Sequence, residues 1–352
     1  MISDYVSQWA RPIIILICAM LLFNLPTLLY KSRLAFGGVL YLLFCNDKKW
    51  KKPEDPDEIF GPLLKEGKIQ KKTLYLVRHG ESTWNDTFNK GSHRSALVFA
   101  LGFFPGLIKA VLYELYLVLS GKMDSWFYDA PLSYLGLGQV EELENFLKKE
   151  PSTNSNDPQR EIISILRADP SAPPSKIVCS SLRRAISTIA GGFRDRLSRH
   201  PQDKILIVPS LQEISRNPDT LSITPAYTPV SASWIDKTSK ICDFQQVFST
   251  QLDVSLHIGN KPINTNGLKR MLEFCDYAFN VEEDHIIVGG HSIWFRSFFK
   301  TFLPYKIDHK SKQRKLKNCG VVAITLMKAS TEDGEKYMID PQSINIVFGG
   351  FT

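Results

Sequence analysis

The chain has 352 residues, 43% of them hydrophobic and 22% charged, with a formal charge of +7. This composition excludes disorder, collagen and coiled coil as descriptions of the whole, and suits one large domain or two modest ones. Six cysteines without a C-x-x-C pair, two of them (Cys18 and Cys45) inside apolar runs, make neither a disulfide framework nor a zinc site and indicate reduced thiols. The lysines are scattered or abut apolar runs, and no basic stripe interleaves with aromatics. Nucleic acid is therefore not an expected partner, whereas a membrane surface and an anionic substrate account for the charge.

In chain order, Ile13–Tyr30 is uncharged over 18 residues, about 27 Å of helix against a hydrocarbon core of about 30 Å. It predicts a membrane segment. The preceding residues are not strongly basic and no small-x-small site follows, so an uncleaved anchor is preferred to a signal peptide or a buried core helix. A second run, Leu34–Cys45, is too short to span and is expected to lie in the interface or dip into the bilayer. Lys31 and Arg33 lie between the runs, and Lys48, Lys49, Lys51 and Lys52 follow them, which places the remainder in the cytosol. Residues 1–50 thus read as anchor and basic flank, 51–70, with Pro53, Pro56 and Pro62, as linker, and 71–352 as the soluble domain. Gly61–Lys68 superficially matches a Walker A loop but has one residue too many and precedes Ile69, so a linker turn is expected.

Strand-type runs at Thr73–Val77, Lys176–Cys179, Ile205–Val208, His285–Val288 and Val321–Leu326 alternate with helical spacing at Gln139–Lys149 and Leu182–Leu197. This alternation predicts an α/β fold with a largely parallel sheet. Pro151–Pro174 reads as a surface insertion around a short helix.

The first strand runs into Arg78-His79-Gly80-Glu81-Ser82-Thr83-Trp84-Asn85. Ligands in open α/β sheets bind at the carboxyl ends of strands, so an arginine, an imidazole and a glycine there suit an anion. Alone the triplet is weak, but partners follow in order. After KIVC comes Ser180-Ser181-Leu182-Arg183-Arg184-Ala185-Ile186-Ser187-Thr188, with arginine at a helix start. After HIIVGG come His291 and then Arg296. Together they offer a nucleophile, positive charge for phosphoryl oxygens and a hydrogen-bond donor, the needs of phosphoryl transfer.

From about Leu74 to Leu326 the sequence resembles the histidine phosphatase superfamily, of phosphoglycerate mutase-like fold. Arg78–Glu81 is joined by Asp129-Ala130-Pro131-Leu132-Ser133 with Gly136 and Gln139, similar to D-x-P-L-[ST]-x-x-G-x-x-Q. Ser180–Thr188 matches S-x-L-x-R-A-x-x-T in a register that selects Arg184 over Arg183. His291 resembles the second histidine, with Ser292 replacing the usual glycine. The resemblance implies a three-layer fold, its mainly parallel sheet flanked by helices. His79 would attack phosphorus, Arg78, Arg184, His291 and Asn85 would hold the phosphate, and water would hydrolyse a phosphohistidine, without metal or cofactor. The histidines show no metal-ligand spacing. Glu213 is the expected proton donor, with Glu81 and Asp219 as rivals. Ile214–Asp219 lacks the mutase's Arg-x-x-Gly block, which favours hydrolysis of phosphate monoesters over phosphotransfer. The acid-phosphatase pattern R-H-G-x-R-x-P is also absent. A non-catalytic phosphate-binding module is the alternative outside enzymes, and intact His79, Arg184 and His291 argue against it.

Fifty positions separate His79 from Asp129, and the excess, about 90–125, contains Ala96–Leu119 with only Lys109 and Glu114 charged. A single pass would strand His79 across the membrane from Arg184 and His291, so the chain must return. Pro105-Gly106 suggests a break into a helical hairpin at the membrane face, or a cap over the pocket. The expected partners are a phosphorylated small molecule, lipid or protein and a membrane, the latter through 12–46 and also 96–119. The sequon Asn85-Asp86-Thr87 beside His79 favours a cytosolic face.

Overall fold

A computed structural model describes residues 2–66, 69–91, 94–149 and 158–352. Strands β1 (Gln70–Arg78), β2 (Ser175–Cys179), β3 (Ile205–Ile207), β4 (Leu252–Asp253), β5 (His285–Gly290), β6 (Val321–Thr331), β7 (Gly334–Ile339) and β8 (Asn345–Phe348) form one sheet. Its order is β4-β3-β2-β5-β1-β6-β7, with β8 also on β6. The first five of that order are parallel, as expected, whereas β6, β7 and β8 pair antiparallel. The strand–helix alternation does not mark this antiparallel flank, since β7 enters from a tight turn at Gly334 rather than from a crossover helix.

Side-chain alternation explains why these strands read as continuous apolar runs. Tyr75 and Val77 of β1 face one core with Ile177, Cys179, Ile287 and Val321, while Leu74 and Leu76 face another with Val178, Ile286, Val288 and Val322. Both faces are covered, so neither can be polar. Helices complete the first core from one side: α6 (Tyr134–Lys148), α7 (Pro158–Arg167) and α8 (Arg183–Gly192). The helices Gly267–Asn280 and Ser292–Phe302 cover the other with Phe274, Trp294, Phe298 and Phe299. The result is a mixed α/β sheet flanked by helices. Residues 151–157 of the expected surface insertion lie outside the described residues, and its short helix is α7.

The N-terminal region differs from expectation. Helix α1 (Ile2–Phe23) and helix α2 (Leu25–Phe44) meet at Asn24 with a 79° bend, so Ile13–Tyr30 is divided between them, and Leu34–Cys45 continues α2 and ends at its C-cap. Pro26 is the reason: it has no N–H to continue α1, yet fits the first turn of α2. Lys31 is not a free basic flank but pairs with Glu114 at 3.1 Å.

The segment 51–70 is not only a spacer, because α3 (Pro56–Glu66) buries Phe60 against Met327, Ala329 and Met338 of the sheet. Gly61 sits inside that helix rather than in a turn; residues 67 and 68 lie outside the described residues.

After α4 (Thr83–Phe88), Ala96–Leu119 forms one continuous helix, α5, with Pro105 inside it; the expected hairpin is absent. A proline removes one hydrogen bond and bends a helix, but long leucine- and alanine-rich flanks carry the helix through. Ser95 caps its start, accepting from the Val98 N–H, and Gly121 at φ +68° ends it. Asn24 is fitted to that end: its Nδ2 donates to the Leu119 carbonyl at 2.8 Å, and a Cβ on Gly121 would lie 2.1 Å from its Oδ1.

Candidate active site

Strands β2, β5 and β1 are neighbours, and their carboxyl ends deliver Ser180, His291 and His79 side by side. Backbone bonds fix the relation: the His79 N–H donates to the Gly290 carbonyl at 3.1 Å, and the Ser180 N–H to that of Gly289 at 2.9 Å. The imidazole rings of His79 and His291 lie 5.0 Å apart, both buried. In front of them is a cavity of about 470 Å³ whose wall includes Arg78, His79, Asn85, Arg184, Glu213 and Asp219. Five of the six expected site residues line it, whereas His291, expected to hold phosphate, does not. Arg296 does not line it.

The motif spacings become contacts. Ser133, Gly136 and Gln139 follow one another around the first turns of α6, and all three meet the Gly80–Glu81 loop. The Ser133 hydroxyl donates to Glu81 Oε2 at 3.1 Å, and Gln139 Oε1 accepts the Glu81 N–H at 2.9 Å. At Gly136 a Cβ would fall 2.1 Å from the Glu81 carbonyl oxygen, which is why glycine is required. Thr188 Oγ1 accepts the Gly80 N–H at 3.0 Å. Asp129 is wholly buried and accepts the Arg183 N–H at 2.8 Å. Arg183 also pairs with Asp124 at 2.8 Å, so it braces the loop while Arg184 faces the cavity.

Hydrogen bonding sets the proton on the His79 imidazole. His79 Nδ1 is bonded to the Gly80 carbonyl, which only accepts, so Nδ1 carries the hydrogen and Nε2 keeps its lone pair. Arg184 Nε lies 3.4 Å from that Nε2. Burial, and then the charges of Arg184 and Arg78, hold His79 well below the usual histidine value, so it is neutral. His291 is held down by burial and by Arg184 in the same way. Its Nε2 is 2.8 Å from Ser180 Oγ, while its buried Nδ1 has no partner. Arg78 donates to the Leu316 carbonyl, and its Nε is unpartnered; burial lowers it to about 10, still protonated at neutral pH.

The two carboxylates of the following loop differ. Glu213 Oε1 accepts the Ile214 and Trp294 N–H groups, each at 2.9 Å, and Oε2 accepts that of Ile293 at 3.2 Å. Asp219 lies 3.3 Å from Arg184 Nη2 through Oδ2, but its buried Oδ1 meets no donor, and burial pushes it up to about 6. Lys315 and Asn318 also line the cavity, and Asn318 Nδ2 donates to the His79 carbonyl at 3.2 Å. Sequence reasoning missed both, since Lys315 sits in a lysine-rich run with no motif. Among the described residues no group of three His, Cys, Asp or Glu side chains is placed to hold a metal ion.

Trp84 on the cavity wall packs against Phe88 with tilted rings at 4.4 Å, Phe88 meets Phe103 of α5 at 6.3 Å, and Phe103 meets Phe104, which is 70% exposed. An aromatic path thus leads from the cavity to the outer face of α5.

In motif and in the placing of the motif residues, the chain resembles the histidine phosphatases. No family model matches it, and no curated protein does. Similar solved structures include the mycobacterial glucosyl-3-phosphoglycerate phosphatase, 14% identical over 76% of this chain and 97% of that one, with a TM-score of 0.34. The phosphoserine phosphatase of Entamoeba histolytica is 14% identical over 78% and 96%, with a TM-score of 0.32. The ecdysone phosphate phosphatase of Bombix mori is 17% identical over 80% and 98%, also at 0.32. At these values the likenesses carry no weight for function.

Proposed function

We propose that the chain is a metal-independent phosphatase that hydrolyses phosphate monoesters through a phosphohistidine. The observation that carries this reading is a neutral His79 with its Nε2 lone pair directed at Arg184, in a cavity that also presents Arg78 and Lys315. The Nε2 lone pair attacks phosphorus, the P–N bond forms as the P–O bond to the leaving group breaks, and that oxygen takes a proton from a carboxyl group. Water then attacks the phosphohistidine, giving its proton to the carboxylate as the P–N bond breaks. Arg78, Arg184 and Asn85, which line the cavity, hold the phosphoryl oxygens.

Glu213 stands where the resemblance puts the acid, but both of its oxygens are already engaged by backbone N–H groups. Asp219, with Oδ1 free and its proton held to about pH 6, suits donation better in this geometry.

Ala96–Leu119 is long and apolar enough to cross a bilayer. Its packing favours a different use. Ala110 and Leu117 are buried, while Leu97, Leu101, Ile108, Leu112 and Leu115 are exposed, as are Ile13–Leu16 of α1 and Leu29, Phe36 and Leu43 of α2. We therefore favour attachment to a membrane by this helical face, with the catalytic domain in the cytosol. The aromatic path from Trp84 to Phe104 supports an amphiphilic phosphate ester, drawn from that surface, as the substrate class.

The test uses the full chain in detergent with an aryl phosphate. Phosphate release and trapping of acid-labile phosphate on the protein should both vanish in His79→Ala. A folded wild type that shows neither would leave a phosphate-binding module as the better reading.

A further inference from the structure

Asp47, just beyond α2, has no exposed surface. Its Oδ2 accepts from Lys261 Nζ at 2.7 Å and from the Ser215 N–H at 2.9 Å, and its Oδ1 accepts from Arg270 Nη2. Its backbone is tied as well: the carbonyl accepts the Gly267 N–H at 3.0 Å, and the neighbouring Asn46 N–H donates to Ile263 at 3.2 Å. The two cations then turn to the loop that carries Glu213 and Asp219. Lys261 Nζ donates to the Glu213 and Ser215 carbonyls, and Arg270 Nη1 to that of Gln212.

Three carbonyls of this loop thus point at two buried cations rather than into a helix or sheet. Buried cations need a counter-charge. Among the described residues the carboxylate paired with both is Asp47, which arrives from the end of the N-terminal helices. The loop's position matters for chemistry because Glu213 reaches the Ile293 and Trp294 amides only from where these carbonyls are held. Tyr41 of α2 adds to the clamp: it is buried, with Lys261 Nζ 5.0 Å from its ring centroid, and it packs with Leu221 just beyond Asp219.

We infer that the N-terminal helices are part of the catalytic unit, not a detachable anchor, and that Asp47 is a positioning residue for the loop bearing Glu213 and Asp219. This rests on reading the cavity as the phosphatase site. Burial draws Lys261 down to about 8, with Asp47 opposing the fall. Without Asp47 the ammonium that holds two of the carbonyls loses its support near neutral pH.

The experiment compares full-length wild type, Asp47→Asn and Lys261→Met in detergent. Lys261→Met keeps the Asp47–Arg270 pair, so it serves where Asp47→Asn does not fold. Two readouts are taken on folded protein: kcat and KM for an aryl phosphate, and hydrogen exchange of the Ile293 and Trp294 amides. The expected result is a fall in kcat of about tenfold or more, with KM changed less than about threefold, together with loss of protection at 293 and 294. A role confined to stability would lower Tm and leave both readouts as in wild type; that result in Lys261→Met overturns the inference. If the wild type hydrolyses nothing, the phosphatase reading fails, while the exchange readout still decides whether the clamp positions the loop.

Discussion

Arg184 joins the candidate nucleophile to the candidate acid: its Nε is 3.4 Å from His79 Nε2, and its Nη2 is 3.3 Å from Asp219 Oδ2. Replacing it should therefore damage chemistry rather than folding. Arg184→Ala is expected to lower kcat/KM for an aryl phosphate by about 10²- to 10³-fold, and Arg184→Lys should recover little, because a point charge cannot address both neighbours. Recovery to near wild type would show that only charge matters there.

Its neighbour should behave oppositely. Arg183 is buried between Asp124 and Asp129. Arg183→Ala leaves two buried carboxylates without their cation and should cost about 3–5 kcal/mol of stability, read as a drop in Tm or in the urea midpoint. A folded Arg183→Ala protein of wild-type stability but lost activity would mean that the two arginines have been assigned the wrong way round.

The proton donor can be identified by leaving group and pH. Asp219→Asn should slow alkyl phosphates far more than activated aryl phosphates and should remove a decline in kcat/KM above about pH 6, the range where Asp219 gives up its proton. Glu213→Gln should slow both substrates alike, since it loosens the loop and the helix start at Ile293. If the leaving-group effect follows Glu213 instead, the acid is Glu213.

Acid should loosen the fold through two buried histidines, His79 and His291. Both are held well below the ordinary value by burial and nearby guanidiniums. The unfolded chain takes up protons on them as pH falls through about 6.5, and the folded chain does not. The stability they carry is therefore whole above that pH and lost progressively below it. Tm measured from about pH 7 to 5 should fall less steeply in His79→Gln, and less steeply in wild type with saturating inorganic phosphate, whose charge favours protonated imidazole. Equal slopes in all three would contradict the burial-driven depression of these two histidines.

Membrane attachment should separate from catalysis. Leu101, Ile108, Leu112 and Leu115 are between 51% and 71% exposed, so changing all four to serine leaves the packed stripe of Ala110 and Leu117 intact. The variant is expected to leave vesicles in flotation while hydrolysing a soluble aryl phosphate as before. Activity on a phosphate ester embedded in those vesicles should drop. Wild-type flotation would place the contact on α1 and α2 alone.

The central sheet could be read because each buried strand is an apolar run that ends in chemistry: Leu74–Val77 before His79, Ile177–Cys179 before Ser180, Ile286–Gly290 before His291. The motif spacings were legible for a physical reason too, since Ser133, Gly136 and Gln139 fall on one face of a helix and share one loop as partner. The helical ends were harder. Pro105 and Pro26 offer the same local cue, yet only Pro26 coincides with a break, where Asn24 can satisfy the end of another helix 95 positions away. Asp47 carried no signal: an aspartate after an apolar run looks like a solvated cap until Lys261 and Arg270 are placed around it.

The Asp47–Arg270 contact also sets an order of events during synthesis. The partners are 223 positions apart, so at about 5–20 residues per second Asp47 leaves the ribosome on the order of 10 to 45 s before its counter-charge exists. The two helices that precede it are made before any strand of the sheet. The loop that carries Glu213 and Asp219 is therefore fastened late, onto a segment made long before it.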